Sequence, residues 1–166
     1  MPKSLLERYQ PDSICEFRAA AMQRSRDAQA LLAAERRTAA IYLWGYAAAM
    51  TLKASYFTVF GFSDIQHITM ADLHAAKNAA PHFGVAPFAN LHDIRGWAEL
   101  LVATRASIPG FTYPIPGFGN NVVTVSKRIH VLWRETLRYH KNVAYGYELE
   151  QVQTAAQWLL ANSVNL

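Results

Sequence analysis

Lys127, His130, Arg134, Arg138 and Lys141 recur at spacings of three and four residues, which on a helix would gather them on one face. Only Glu135 opposes them nearby, so that face would be positive and would suit a phosphate backbone. The bland alternative is a solvated helix face, or arginines paired across a dimer with Glu148 and Glu150. Lys53 stands within an apolar stretch and reads either as a contact to an anionic ligand or as a side chain snorkelling at the edge of a core. His67, His74, His82 and the pair His92-Asp93 invite comparison with a metal site of the H…HD…D kind, yet Asp93 is the last aspartate of the chain, so one oxygen ligand is missing. There is no H-E-x-x-H or E-x-x-H pair and no phosphate-binding glycine loop. No metal and no cofactor are expected.

These residues must be positioned by a chain of 166 residues, 52% hydrophobic, enough for one domain with its own core over 1–166, after a flexible segment at 1–12. The net charge of +4 and the pI near 9.3 leave an anionic partner open without requiring one. The single cysteine, Cys15, allows no internal disulfide, and the polar N-terminus has no apolar signal-peptide region; both point to the cytoplasm. The apolar stretch from Thr38 to Phe62 carries Lys53 near its middle, which favours a buried central helix over a membrane span.

Ser13-Ile-Cys-Glu16 has capping-box spacing and predicts a helix to about Glu35. Residues 38–60 form the apolar hub, its small residues allowing close approach of neighbouring helices. Thr69-Met-Ala-Asp72 caps a short helix to about Ala80, and Asn90-Leu-His-Asp93 opens one that runs to Ser107. The stretch 108–121, rich in proline and glycine, reads as an ordered loop whose Phe111, Tyr113 and Phe118 pack over a core edge. Helices from about Val122 to Asn142 and from Glu148 to Ala161 complete an all-α chain.

Ala40-Ile-Tyr-Leu-Trp-Gly-Tyr-Ala-Ala-Ala-Met-Thr-Leu-Lys-Ala54 resembles the second-helix signature of HEPN-domain proteins, roughly A-x-Y-L-x-G-Y-A-x-E-x-x-L-K-A. Leu91-His-Asp-Ile94 resembles the H-D-L that opens that family's next long helix, and Trp133-Arg-Glu-Thr-Leu-Arg-Tyr139 its W-x-x-x-x-R-Y segment. The resemblance runs from about residue 25 to the C-terminus. It departs at Ala49, where the pattern has a glutamate one turn before the lysine, here Lys53.

The resemblance implies an up-and-down helical bundle, four to five longer helices plus a short one, that forms a homodimer. It also implies a toxin- or defence-type system, with RNA or a nucleotide as ligand and a nucleotidyltransferase or antitoxin as partner. Nucleases of the family use an R-x4-6-H motif without metal, which here falls on Arg134 and His140. A histidine near neutral pKa can move the proton of a ribose 2′-hydroxyl while a guanidinium stabilises charge on the phosphate; Lys127, His130, Arg138, Lys141 and Lys53 would hold the nucleic acid. On one unbroken helix Arg134 and His140 would stand roughly 120° apart, so convergence needs a break near Arg138 or the two-fold axis of a dimer. Otherwise His140 continues the apolar stripe of Ile129, Trp133 and Leu137 as a partly buried histidine. The resulting expectation is a non-catalytic helical bundle associated with RNA or nucleotide binding, the alternative a metal-independent endoribonuclease using Arg134 and His140.

Overall fold

The computed structural model describes residues 11–166, and over them the chain is all-helical. Six α-helices pack around one continuous core: α1 (Ile14–Ala33), α2 (Arg37–Val59), α3 (Met70–Ala79), α4 (Ile94–Ala106), α5 (Phe118–Leu132) and α6 (Gly146–Ala161). Two short 3-10 turns, Ala80–Phe83 and Glu135–Tyr139, interrupt the order. Among the described residues no helix is long and apolar enough to cross a membrane. Residues 1–10 of the segment expected to be flexible lie outside the described residues; Asp12 is fixed by its carbonyl, which accepts from the Ile68 N–H at 2.7 Å.

Local chemistry explains most boundaries. Ser13 is extended, and its Oγ accepts from the Glu16 N–H at 3.2 Å, the serine half of the expected box. α1 closes in a Schellman turn, with Arg36 N donating to Leu31 O and Glu35 N to Leu32 O. Glu35 takes the left-handed position there, at φ 56°. Thr69 and Asp72 form a complete capping box at the start of α3, and the two bonds from Thr69 hold the Asp72 carboxyl below its ordinary pKa.

α2 is the hub, packed against α1, α4 and α6. It is apolar nearly all round because it is covered nearly all round; Trp44, Leu52, Tyr56 and Phe57 are buried. The hydroxyls of Thr51, Ser55 and Thr58 bond back to carbonyls one turn earlier, so these polar groups sit in the helix without seeking water. The 108–121 loop packs as expected: Phe111, Tyr113, Phe118 and Trp158 form a chain of ring contacts, with the Arg105 guanidinium over Phe111 at 5.1 Å.

The expected helix from Val122 to Asn142 is corrected at both ends. α5 begins earlier, at Phe118, after Gly117 turns the chain at φ 75°. It stops at Leu132, because Trp133 (φ −108°, ψ 139°) and Arg134 (φ −144°, ψ 149°) are extended. The cause is Trp133, which is buried against Gly45 of α2 and donates through Nε1 to Tyr42 O at 2.9 Å.

The irregular stretch beyond is tied to the start of α2. Thr38 Oγ1 accepts from the amides of Val143 and Ala144 at 2.8 and 2.9 Å, Asn142 Oδ1 accepts from Thr38 N at 3.1 Å, and Asn142 Nδ2 donates to Glu35 O at 2.9 Å. Thr38→Val keeps the shape and removes the acceptor, leaving two amides unpaired beside a buried side chain. A loss of about 1–3 kcal/mol is expected in urea denaturation, with hydrogen exchange at Val143 and Ala144 accelerating most.

Candidate functional site

The charged residues that do converge meet where α4 begins and α5 ends. A cleft of about 360 Å³ is lined there by His92, Asp93 and Arg95 from one side and His130, Trp133, Arg134 and Glu135 from the other. Each arrives for a local reason. Asn90 Oδ1 accepts from the His92 amide at 2.8 Å, turning the chain, and Asp93 caps α4 by accepting from Gly96 N at 2.9 Å. His130 occupies the last turn of α5, and Arg134 and Glu135 are brought alongside by the break at Trp133.

Asp93 does two things at once. The same Oδ1 that caps α4 lies 3.4 Å from His130 Nδ1, and the carboxylate is 6% exposed. A carboxylate on Nδ1 leaves Nε2 of the neutral ring as the proton acceptor. Burial lowers the His130 pKa below its ordinary 6.5; Asp93 works against that shift, and Arg134 and Arg95 add to it. His92 is lowered as well, first by burial and then by Lys53, while Glu135, whose Oε2 is 3.9 Å from Nε2, opposes the shift. Both imidazoles are therefore mostly neutral near pH 7 and available as bases, and the positive charge of the cleft comes from Arg95 and Arg134.

Arg134 is braced by its own backbone, with Nη1 donating to the carbonyls of His130 and Trp133. Arg95 is half-buried, and among the described residues its Nε is buried without a hydrogen-bond partner. An unpaired buried donor on a residue that lines the cleft is one that a bound acceptor would satisfy. Chemically the set can fix a phosphate between two guanidiniums and place a neutral imidazole beside it.

The basic residues expected on one helix face are distributed differently. Arg134 and His130 are in the cleft. His140 is not among its lining; it is exposed, at the end of the 3-10 turn and in extended backbone. The helix breaks at Trp133, ahead of Arg134 rather than near Arg138, and His140, being exposed, is not part of a buried stripe. Lys127 pairs with Glu99 of α4 at 3.3 Å. Arg138 lies over the Tyr139 ring at 4.7 Å, and its hydrogen bonds to Tyr139 and Tyr42 raise its pKa. Lys141 is exposed in the irregular stretch. Lys53 stands apart, half-buried in a separate and largely apolar cavity, with Nζ 5.6 Å from the centre of the Trp97 ring.

Arg95 and Glu135 are cleft residues that the sequence did not single out as a site, and His92-Asp93 enters there only as part of a metal site that lacks a ligand. Their signal was the string His92-Asp-Ile-Arg95 at a helix start, readable as a cap but not as half of a cleft whose other half is supplied by α5. Among the described residues no three His, Cys, Asp or Glu side chains gather as a metal would need. Compared with protein-family models, with curated proteins and with solved structures, the chain gives no significant match in any of the three.

Proposed function

We propose that the chain is a HEPN-like, up-and-down bundle that binds RNA or a nucleotide through this cleft, as a homodimeric component of a toxin- or defence-type system whose partner is a nucleotidyltransferase or antitoxin. The observation that carries the ligand class is the meeting of Arg95, with its unpartnered Nε, and Arg134 beside two largely neutral imidazoles. The wider setting rests on the resemblance alone.

Fluorescence polarisation of a labelled single-stranded RNA tests the ligand. Arg134→Ala and Arg95→Ala should each weaken binding about tenfold and flatten its salt dependence by about one unit of slope, whereas His140→Ala should bind as wild type does. Equal binding by all four proteins would refute the cleft as the site.

A second reading, metal-independent RNA cleavage, is favoured by the Asp93–His130 contact. His130 would take the proton of the 2′-hydroxyl as its oxygen attacks phosphorus, Arg134 would stabilise the charge on the phosphate, and the bond to the 5′-oxygen would break, that oxygen taking a proton from solvent water and leaving a 2′,3′-cyclic phosphate. A base must be unprotonated to act, so the rate in EDTA should rise with pH through an apparent pKa below 6.5, in the direction of the His130 shift. His130→Ala should lose at least about a hundredfold. Cleavage unaffected by that substitution would reject His130 as the base.

A further inference from the structure

A cavity of about 540 Å³ lies between α1, α2, α3 and the turn before α4, and has a different character from the cleft. Phe17, Ala49, Met50, Leu73 and Leu91 give it apolar walls, and its volume is that of a small-molecule site. Lys53 of α2 is its one lysine or arginine among the described residues. Ala49, one helical turn before Lys53 and also on the cavity wall, brings neither charge nor bulk. No described carboxylate lies within ion-pair distance of Lys53.

We propose that this cavity binds an apolar molecule carrying a single carboxylate, with the carboxylate on Lys53 and the apolar body among α1, α2 and α3. Two of the other polar groups lining it, Tyr46 and His92, fit that ligand. Tyr46 is held protonated by burial, its pKa pushed up to about 12, and His92 is largely neutral, so both can donate to a carboxylate without opposing it. Asp12 and Glu16 also line the cavity; two carboxylates against one lysine disfavour a polyanion such as a nucleotide, which separates this ligand class from that of the cleft. Lys53 is drawn toward Asp12 electrostatically, yet burial dominates and its pKa falls to about 8. A bound carboxylate would relieve that buried cation.

Isothermal titration of the full chain with decanoate, decanol and decylamine at pH 7 tests this. Decanoate should bind one to one and more tightly than decylamine. Lys53→Met should weaken decanoate at least tenfold and leave decanol unchanged, and Ala49→Glu, which places a carboxylate one turn from Lys53, should abolish decanoate binding. Circular dichroism and melting report whether each variant folds; should Ala49→Glu fail to fold, Lys53→Met and the decanol control still decide. Failure of the wild type to bind decanoate, a preference for decylamine, or equal decanoate affinity in Lys53→Met would each overturn the proposal.

Discussion

Gly45→Ala should destabilise the protein by about 3 kcal/mol or more, although alanine is the better helix former by about 1 kcal/mol. A Cβ at this position would lie 2.1 Å from Trp133 Cδ1, 2.2 Å from Nε1 and 2.3 Å from Cγ. Nothing about that neighbour is compliant. The indole is rigid, 2% exposed, bonded through Nε1 to Tyr42 O at 2.9 Å and set edge-on to Tyr46 at 5.3 Å. Either the bond to Tyr42 breaks or α2 and the α5 end move apart, and overpacking of this kind costs more than helix propensity returns. Because Trp133 also walls the cleft, near-ultraviolet dichroism should change with stability, and RNA binding should fall in parallel. Gly146→Ala is the control: no atom stands within 4 Å of its added Cβ, so denaturation should shift by no more than about 0.5 kcal/mol.

Lys53→Met should move stability the other way, raising it at pH 7 by up to about 3 kcal/mol. Burial lowers the Lys53 pKa from 10.5 to about 8 in the folded chain. Below pH 8 the lysine is charged in both states, and the native state bears the full penalty of a buried cation. Between pH 8 and 10.5 the unfolded chain holds the proton that the folded chain has lost, so stability rises with pH across that window. Above it both states are neutral. Tyr46 and Tyr56, raised above the tyrosine value by burial, act with the opposite sign from pH 10 upward, since the unfolded chain ionises first. Urea denaturation at pH 7, 8, 9 and 10 should therefore show the wild type gaining on the variant steadily from pH 8. Parallel curves would mean that water reaches Lys53 and the cation carries no penalty.

Features whose cause is local were legible in the sequence. The Thr69–Asp72 box, the Ser13 cap and the apolar girth of α2 each depend on residues within a few positions of one another, and each was readable as it stands. The break at Trp133 was not, because Val122 to Leu132 and the residues after it share helical spacing and the reason for stopping lies in α2, at Gly45 and Tyr42. A basic stripe drawn through that break put Arg134 with Arg138 and Lys141, when the fold puts it with Arg95 and His92. The candidate site was half legible for the same reason: His130 and Arg134 carried a signal as basic residues, whereas Asp93 reads in the sequence as part of a helix start or of an incomplete metal site. Its second role, holding His130, appears only once α4 and α5 are side by side.

His92 stands on the wall of both the polar cleft and the apolar cavity, so the two chambers share one titrating group. An occupant of either that prefers the neutral ring must loosen the hold of any occupant of the other that prefers the imidazolium, and by the same factor in both directions. Two ligands of unlike chemistry can in this way keep account of each other through a single proton, with no helix required to move.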